Sequence, residues 1–176
     1  MKSSVLILAS FFLAATASAQ PGAPPTAAPK AGAVATKART LALTACASPD
    51  GAIGIEHLVP GPDNHKSLFD GHVTVFRYNR KEPVSVPEGI AIAYTTASDT
   101  EVRECRIVGT LRGGYFKVDL AKATITMGKG SAKISVPVIE YSPDLNHTSK
   151  AIEITVKRTP KRNPAREGFV VTAATP

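Results

Sequence analysis

The chain has 176 residues, of which 43% are hydrophobic and 20% are charged, and its formal net charge at pH 7 is +7. This hydrophobic fraction is typical of a chain that folds around a core, so disorder throughout is excluded, and the length predicts one domain. The two cysteines are too few for a disulfide-dense scaffold or for a zinc site with four cysteine ligands.

Residues 1–19 have the three parts of a secretory signal peptide. Lys2 supplies a positive start, an apolar and small-residue run follows over Val5–Ala15, and Ala17-Ser18-Ala19 suits signal peptidase. The pattern predicts cleavage after Ala19 and an exported protein, periplasmic or secreted. An uncleaved membrane anchor is the alternative, but the apolar run would span only about half of a ~30 Å bilayer core. No later segment is apolar enough to predict a transmembrane span.

Residues 20–38 are dominated by Ala, Pro and Gly and contain no aromatic residue and no acid. Such a composition cannot bury a core, so we expect a disordered linker that is dispensable for folding. The pattern changes after residue 38, and we expect one folded domain over residues 39–176.

The domain shows the period-two alternation of β-strands, with large apolar side chains on one face of each run. The alternating apolar residues are Val73 and Val75; Ile90, Ile92 and Tyr94; Phe116, Val118 and Leu120; Ala132, Ile134, Val136 and Val138; and Ile152, Ile154 and Val156. Glycine-rich turns separate several runs, as at Gly128-Lys129-Gly130. The pattern predicts an all-β, antiparallel β-sandwich of eight to ten strands, with a barrel as the second choice.

The predicted architecture is immunoglobulin-like, but two hallmarks of the immunoglobulin family are missing. The chain has no Trp to pack on a core disulfide. Arg103 occupies the position two before Cys105, where the tyrosine corner requires Tyr. We therefore expect the architecture without membership of the family.

Cys46 and Cys105 are expected to form a disulfide, because cysteines of exported proteins usually pair. In the chain-entropy model, a bridge closing a loop of this size stabilises the fold by about 4 kcal/mol. Two buried free thiols are the alternative. The chain has no Cys-x-x-Cys motif and therefore no sequence signal for disulfide exchange.

The segment from His57 to His72 holds three of the four histidines, and His57, His65 and His72 are candidate ligands for zinc or copper(II). Their spacing matches neither adjacent ligands on a strand face nor ligands one helical turn apart. A metal-binding exported protein is therefore the alternative to our leading interpretation, and no cofactor is expected. The order of Cys105, Met127 and His147 also excludes a blue-copper site.

No catalytic motif is present. Gly-x-Ser-x-Gly is absent, and Gly128-Lys129-Gly130-Ser131 lacks the spacing of a phosphate-binding loop, so a hairpin turn is expected there. Carbohydrate-binding aromatics are few, with Tyr115 as the candidate for exposure, and no motif indicates specific nucleic-acid binding. We expect a non-enzymatic protein, and an enzyme with a site hidden from the sequence is a further alternative.

Residues 157–166 contain five basic residues and no acid. The candidate anion-binding residues are Lys157, Arg158, Lys161, Arg162 and Arg166. Prolines at 160 and 164 predict an exposed loop, which could attract an anionic surface or be an ordinary solvated connection. The sequence thus favours an exported protein with a binding or structural role, whose partner is an unknown protein or an anionic surface.

Overall fold

The computed structural model describes residues 38–48, 51–81, 86–96, 102–110, 113–159 and 168–176. The expected signal peptide and all of the expected linker except Ala38 lie outside these residues, so both stay predictions. Within the described ranges, no helix is long and apolar enough to cross a membrane.

The described residues form thirteen β-strands and two short 3-10 helices, at Ile55–His57 and Pro62–Asn64. The strands are β1 (Arg39–Leu41), β2 (Leu43–Ala45), β3 (Ala47–Ser48), β4 (Gly51–Ala52), β5 (His65–Leu68), β6 (Val73–Asn79), β7 (Glu88–Thr95), β8 (Arg103–Val108), β9 (Lys117–Val118), β10 (Thr124–Gly128), β11 (Ser131–Glu140), β12 (Thr148–Arg158) and β13 (Phe169–Thr175). This number exceeds the predicted eight to ten because five of the strands have only two or three residues.

The strands assemble into two principal antiparallel sheets. The six-stranded sheet has the order β1-β13-β12-β11-β10, with β9 also paired to β11, and the five-stranded sheet has the order β2-β8-β7-β6-β5. A small hairpin of β3 and β4 completes the described strands. The prediction of an all-β, antiparallel fold is confirmed. The barrel alternative is wrong, because the strands divide between separate sheets and form no single closed ladder.

The six-stranded sheet is organised by the long pairing of β11 with β12. Alternate residues of β11 are buried, from Ala132 to Val138, and the first three of them lie opposite the buried residues Val156, Ile154 and Ile152 of β12. Lys129 and Gly130 form the two-residue turn between β10 and β11, and Gly130 has a φ of 70°, a conformation that glycine adopts without strain. Gly128-Lys129-Gly130 is thus the hairpin turn that the sequence predicted.

The main hydrophobic core takes side chains from both principal sheets. Val75, Ile90 and Ile92 of the five-stranded sheet belong to the same buried cluster as Ile134 and Ile154 of the six-stranded sheet. Burying a Val or Ile side chain stabilises a fold by about 1.5–3 kcal/mol. The apolar residues that alternate in the sequence are therefore the ones that build this core.

The five-stranded sheet is also covered on its other face. Cys46, Tyr78, Ala91 and Ile107 form a second buried cluster, against which Ile53 and neighbouring residues pack. Both faces of β7 are consequently apolar, as in a central buried strand. Gly89 on β7 has no room for a Cβ atom, because the ring of its cross-strand partner Tyr78 lies against it.

The predicted alternation over residues 116–120 is wrong at its first residue. Val118 and Leu120 are buried, but Phe116 is 45% exposed and Tyr115 is buried in its place. Tyr115 pairs with Glu88 of the five-stranded sheet, whereas Lys117 pairs with Ile139 of the six-stranded sheet. Because the chain crosses between sheets here, the alternation does not extend through the crossing.

Candidate functional site

Cys46 and Cys105 form the predicted disulfide, with their Cα atoms 5.4 Å apart. The alternative of two free thiols is therefore wrong. Cys46 follows β2 and donates its backbone N–H to the carbonyl oxygen of Cys105 on β8, the strand that pairs with β2. The bridge thus joins neighbouring chain segments of the five-stranded sheet, in contrast to the inter-sheet bridge of immunoglobulin domains.

The three candidate metal ligands have separate surroundings. The Nδ1 atoms have different hydrogen-bond partners: the backbone N–H of Gly54 at 3.1 Å for His57, the carbonyl oxygen of Gly61 at 3.2 Å for His65, and Thr95 Oγ1 at 3.5 Å for His72. In the part of the chain that the structure describes, no three His, Cys, Asp or Glu residues are grouped as metal ligands would be. The geometry therefore gives no support to a metal site built on these histidines.

The first two residues of the predicted basic loop lie in a strand. Lys157 and Arg158 belong to β12, because its ladder continues to the pairs Lys157–Val170 and Arg158–Phe169. The assignment of these two residues to a loop is therefore wrong. Lys161, Arg162 and Arg166 lie outside the described residues, and the described chain on either side is joined by the bond from Thr159 N to the Gly168 carbonyl oxygen.

Four exposed cations lie where β12 ends, and we call Arg103, Lys129, Lys157 and Arg158 the basic cluster. The backbone N–H of Arg158 donates to the carbonyl oxygen of Gly130, the residue after Lys129. The Arg158 guanidinium lies 5.4 Å from the centroid of the Phe69 ring. These contacts bring the turn before β11 and the end of β12 together.

Arg103 extends the basic cluster onto the five-stranded sheet. Its Nη2 atom donates to the carbonyl oxygen of Gly71 at 2.8 Å, two residues beyond Phe69. Asp70 is exposed in the same turn, and Glu104, which follows Arg103 on β8, pairs with Arg106 at 2.7 Å. Among the described residues beside these contacts, the four cations therefore outnumber the two acids.

Two other lysines of the six-stranded sheet are paired with acids. Lys133 pairs with Glu153 at 2.7 Å, and Lys150 pairs with Glu140 at 2.5 Å. By contrast, neither Lys129 nor Lys157 forms an ion pair with another described residue. Their charges remain available to an anion in solution, although solvent and salt screen them.

A separate polar cavity of about 280 Å³ lies at the other end of the domain. Its lining includes Asn64, Arg77, Lys117 and Asp119. A second cavity of about 260 Å³ shares Lys117 and Asp119 with it. Both fall just below the usual size of small-molecule sites, about 300–1,000 Å³.

Two of the charged side chains that line the first cavity are paired with other residues of the protein. Arg77 forms an ion pair with the buried Glu88 and donates from Nη1 to Asn64 Oδ1 at 3.1 Å. Burial alone would raise the pKa of Asp119, but hydrogen bonds from Lys122 hold that pKa below its ordinary value. Arg77 and Asp119 are thus engaged within the protein, whereas Asp63 and Lys117, which also line the cavity, form no ion pair with another described residue.

The sequence interpretation missed an exposed aromatic group. Phe116 stacks on His147 with ring centroids 4.3 Å apart, and Tyr141 lies 5.8 Å from the same histidine ring. Tyr115, the expected candidate for an exposed ring, is buried instead, and burial raises its pKa to about 12, with Glu140 and Tyr78 contributing. Placing Phe116 on the core face concealed this group, because the change of sheet between Tyr115 and Lys117 leaves no clear mark in the sequence.

Comparison with known proteins gives no family for this chain. No protein-family model, no curated protein and no solved structure matches it.

Proposed function

We propose that this protein is an exported, non-enzymatic β-sandwich of immunoglobulin-like architecture that binds an anionic surface. The shared core of the two sheets supports the sandwich. The signal-peptide pattern of residues 1–19 and the Cys46–Cys105 disulfide support export, because disulfides persist in oxidising compartments. The binding role rests on a different observation, the basic cluster.

The basic cluster carries the proposal because Lys129 and Lys157 are exposed and unpaired among the described residues. Each cation near an anionic membrane contributes about 1 kcal/mol, and the attraction falls off within about 8 Å at physiological salt. Several cations at one end of the strands act together, whereas cations spread over the surface would not. The basic residues Lys161, Arg162 and Arg166 follow in the sequence and would add to this attraction.

Binding to vesicles of phosphatidylglycerol and phosphatidylcholine tests the proposal directly. The double variant Lys129→Ser/Lys157→Ser should bind about 30-fold more weakly at low salt, which corresponds to about 2 kcal/mol. Arg158 stays unchanged, because its guanidinium also packs on Phe69. Raising the salt concentration should weaken binding of the parent and reduce the difference between the two proteins.

The matched control is Lys81→Ser/Lys117→Ser, which removes the same charge elsewhere. Lys117 pairs with Ile139 at the far end of β11 from Lys129, and both control lysines are exposed. The control should bind nearly as well as the parent. Equal losses in the two double variants would show a general charge effect and no site. Absence of binding by the parent at low salt would refute the proposal.

A further inference from the structure

The strand β10 forms an edge of the six-stranded sheet and is exposed at all five residues. Among the described residues its one ladder partner is β11. The strand reads Thr-Ile-Thr-Met-Gly and contains no charge and no proline. Edge strands of soluble proteins usually carry charged residues or proline, because an edge without them tends to pair with strands of other molecules.

The other edge strands differ from β10 in these respects. The edge strands β1 and β2 have three residues each, and β1 includes Arg39. The edge strand β5 has four residues and includes His65 and Lys66. Among the four edges described, β10 is therefore the longest and combines an uncharged sequence with two exposed large apolar residues, Ile125 and Met127.

The direction of the backbone groups on β10 follows from the turn that precedes β11. Gly128 pairs with Ser131 across two turn residues, so this pair exchanges both of its hydrogen bonds. Because hydrogen-bonded pairs alternate along an antiparallel ladder, Thr126 and Thr124 also bond to β11. The N–H and C=O groups of Ile125 and Met127 therefore point away from the sheet, toward solvent.

The side chains of Ile125 and Met127 lie on the core face of the sheet. Their cross-strand partners are Ile134 and Ala132, which are at most 2% exposed. Ile125 and Met127 themselves are 39% and 55% exposed. The core face thus continues to the edge of the sheet, where it is left partly uncovered.

We propose that β10 pairs antiparallel with β10 of a second copy of this chain, about a twofold axis at Thr126. In this register Ile125 of each copy lies opposite Met127 of the other, and both residues present outward backbone groups. The two pairs form four backbone hydrogen bonds, and the six-stranded sheets become one continuous sheet. The interface is isologous, which is the usual form of a homodimer.

The occupant is a second copy because the strand is complementary to itself in this register. The apolar residues meet each other, Thr126 meets Thr126, and no like charges face each other within the strand. Lys129 of the second copy lies opposite Ala123, next to the pair formed by Asp119 and Lys122.

A cysteine at the twofold axis tests the register. Thr126 would face its equivalent in a non-hydrogen-bonded pair, with Cα atoms about 4.5 Å apart, within the range of disulfides. The Thr126→Cys protein should form a covalent dimer on mild oxidation, seen by non-reducing electrophoresis. Thr172→Cys is the matched control, because Thr172 is also an exposed strand threonine but lies on β13 between β1 and β12. Equal rates of cross-linking in the two variants would overturn the proposal.

Charged substitutions test the same pairing without a new covalent bond. The parent should be a dimer by sedimentation equilibrium, and Met127→Lys should weaken dimerisation by at least about tenfold, because two charges enter the interface. Val170→Lys is the control, since Val170 is similarly exposed, at 52%, away from the edge. The control should dimerise like the parent.

A mixture of Ile125→Lys and Met127→Glu should restore dimers, because the new charges lie opposite each other only in a mixed pair. Each variant alone should be largely monomeric. A parent that stays monomeric at high concentration would overturn the proposal. A dimer that survives Met127→Lys unchanged would do the same, because its interface would then lie elsewhere. If the edge instead pairs with a strand of another protein, the parent alone should be a monomer.

Discussion

Removal of the Glu88 carboxylate should destabilise the domain strongly. The Glu88 side chain is only 9% exposed and forms an ion pair with Arg77, whose side chain is 25% exposed. Its second oxygen accepts a hydrogen bond of 2.6 Å from the backbone N–H of Val118. The carboxylate therefore joins β6 and β7 of one sheet to β9 of the other. Glu88→Ala leaves both donors without this partner.

The expected loss is about 3–5 kcal/mol, the usual cost of breaking a buried ion pair by removing one partner. That cost is a large part of a typical domain stability of about 5–15 kcal/mol. Replacing both partners, as in Arg77→Met/Glu88→Gln, should cost less than the sum of the single changes, because no buried charge is left alone. The glutamine oxygen can still accept from Val118.

Urea unfolding of the parent, both single variants Arg77→Met and Glu88→Gln, and the double variant gives the coupling energy. The matched cycle uses Lys133→Met and Glu153→Gln, because this ion pair lies on partly exposed side chains, at 52% and 29%. Its coupling should be about 0.2–1 kcal/mol. The reasoning is refuted if the coupling of Arg77 with Glu88 is no larger than that of the exposed pair.

Two further predictions concern covalent structure and pH. Reducing the Cys46–Cys105 bridge should lower the free energy of unfolding by about 4 kcal/mol, measured by urea unfolding with and without reductant; an unchanged midpoint would contradict this. The pKa of Tyr115 is raised from 10.0 to about 12, so the unfolded chain ionises first and stability is lost as the pH rises between these values. At pH 11 this loss is about 1.4 kcal/mol relative to pH 8. Tyr115→Phe should be correspondingly less sensitive to alkali, and equal sensitivity would contradict the assignment.

Periodicity predicted the parts of the fold in which one face of a strand stays buried along its length. The alternating residues of β11 and β12 are buried as expected, because their pairing is long and both strands contribute to one core. The strand β7 follows a different pattern. Ala91 and Gly89 face the second cluster, so small residues that looked like the solvent face are buried under Tyr78.

The candidate sites were less accessible to sequence reasoning because they depend on strand pairing. Arg77 and Glu88 look like ordinary surface charges, and only the pairing of β6 with β7 places them opposite the chain that crosses between sheets. The exposed edge at β10 was equally hidden, since Ile125 and Met127 have the alternation of core residues. The sequence predicted the disulfide, because the signal-peptide pattern predicts export and two cysteines allow a single internal pairing.

The pairing of β1 with β13 has a consequence for the order in which the domain folds. Arg39 lies opposite Thr175, 136 residues further along the chain. Closing a loop of this length costs about 4 kcal/mol of chain entropy beyond the constant term, and only three residue pairs form in return. The antiparallel meander of β10, β11 and β12 requires the closure of only short connections, so it can form first. We therefore expect β1 to dock last and to exchange its amide hydrogens faster than β11.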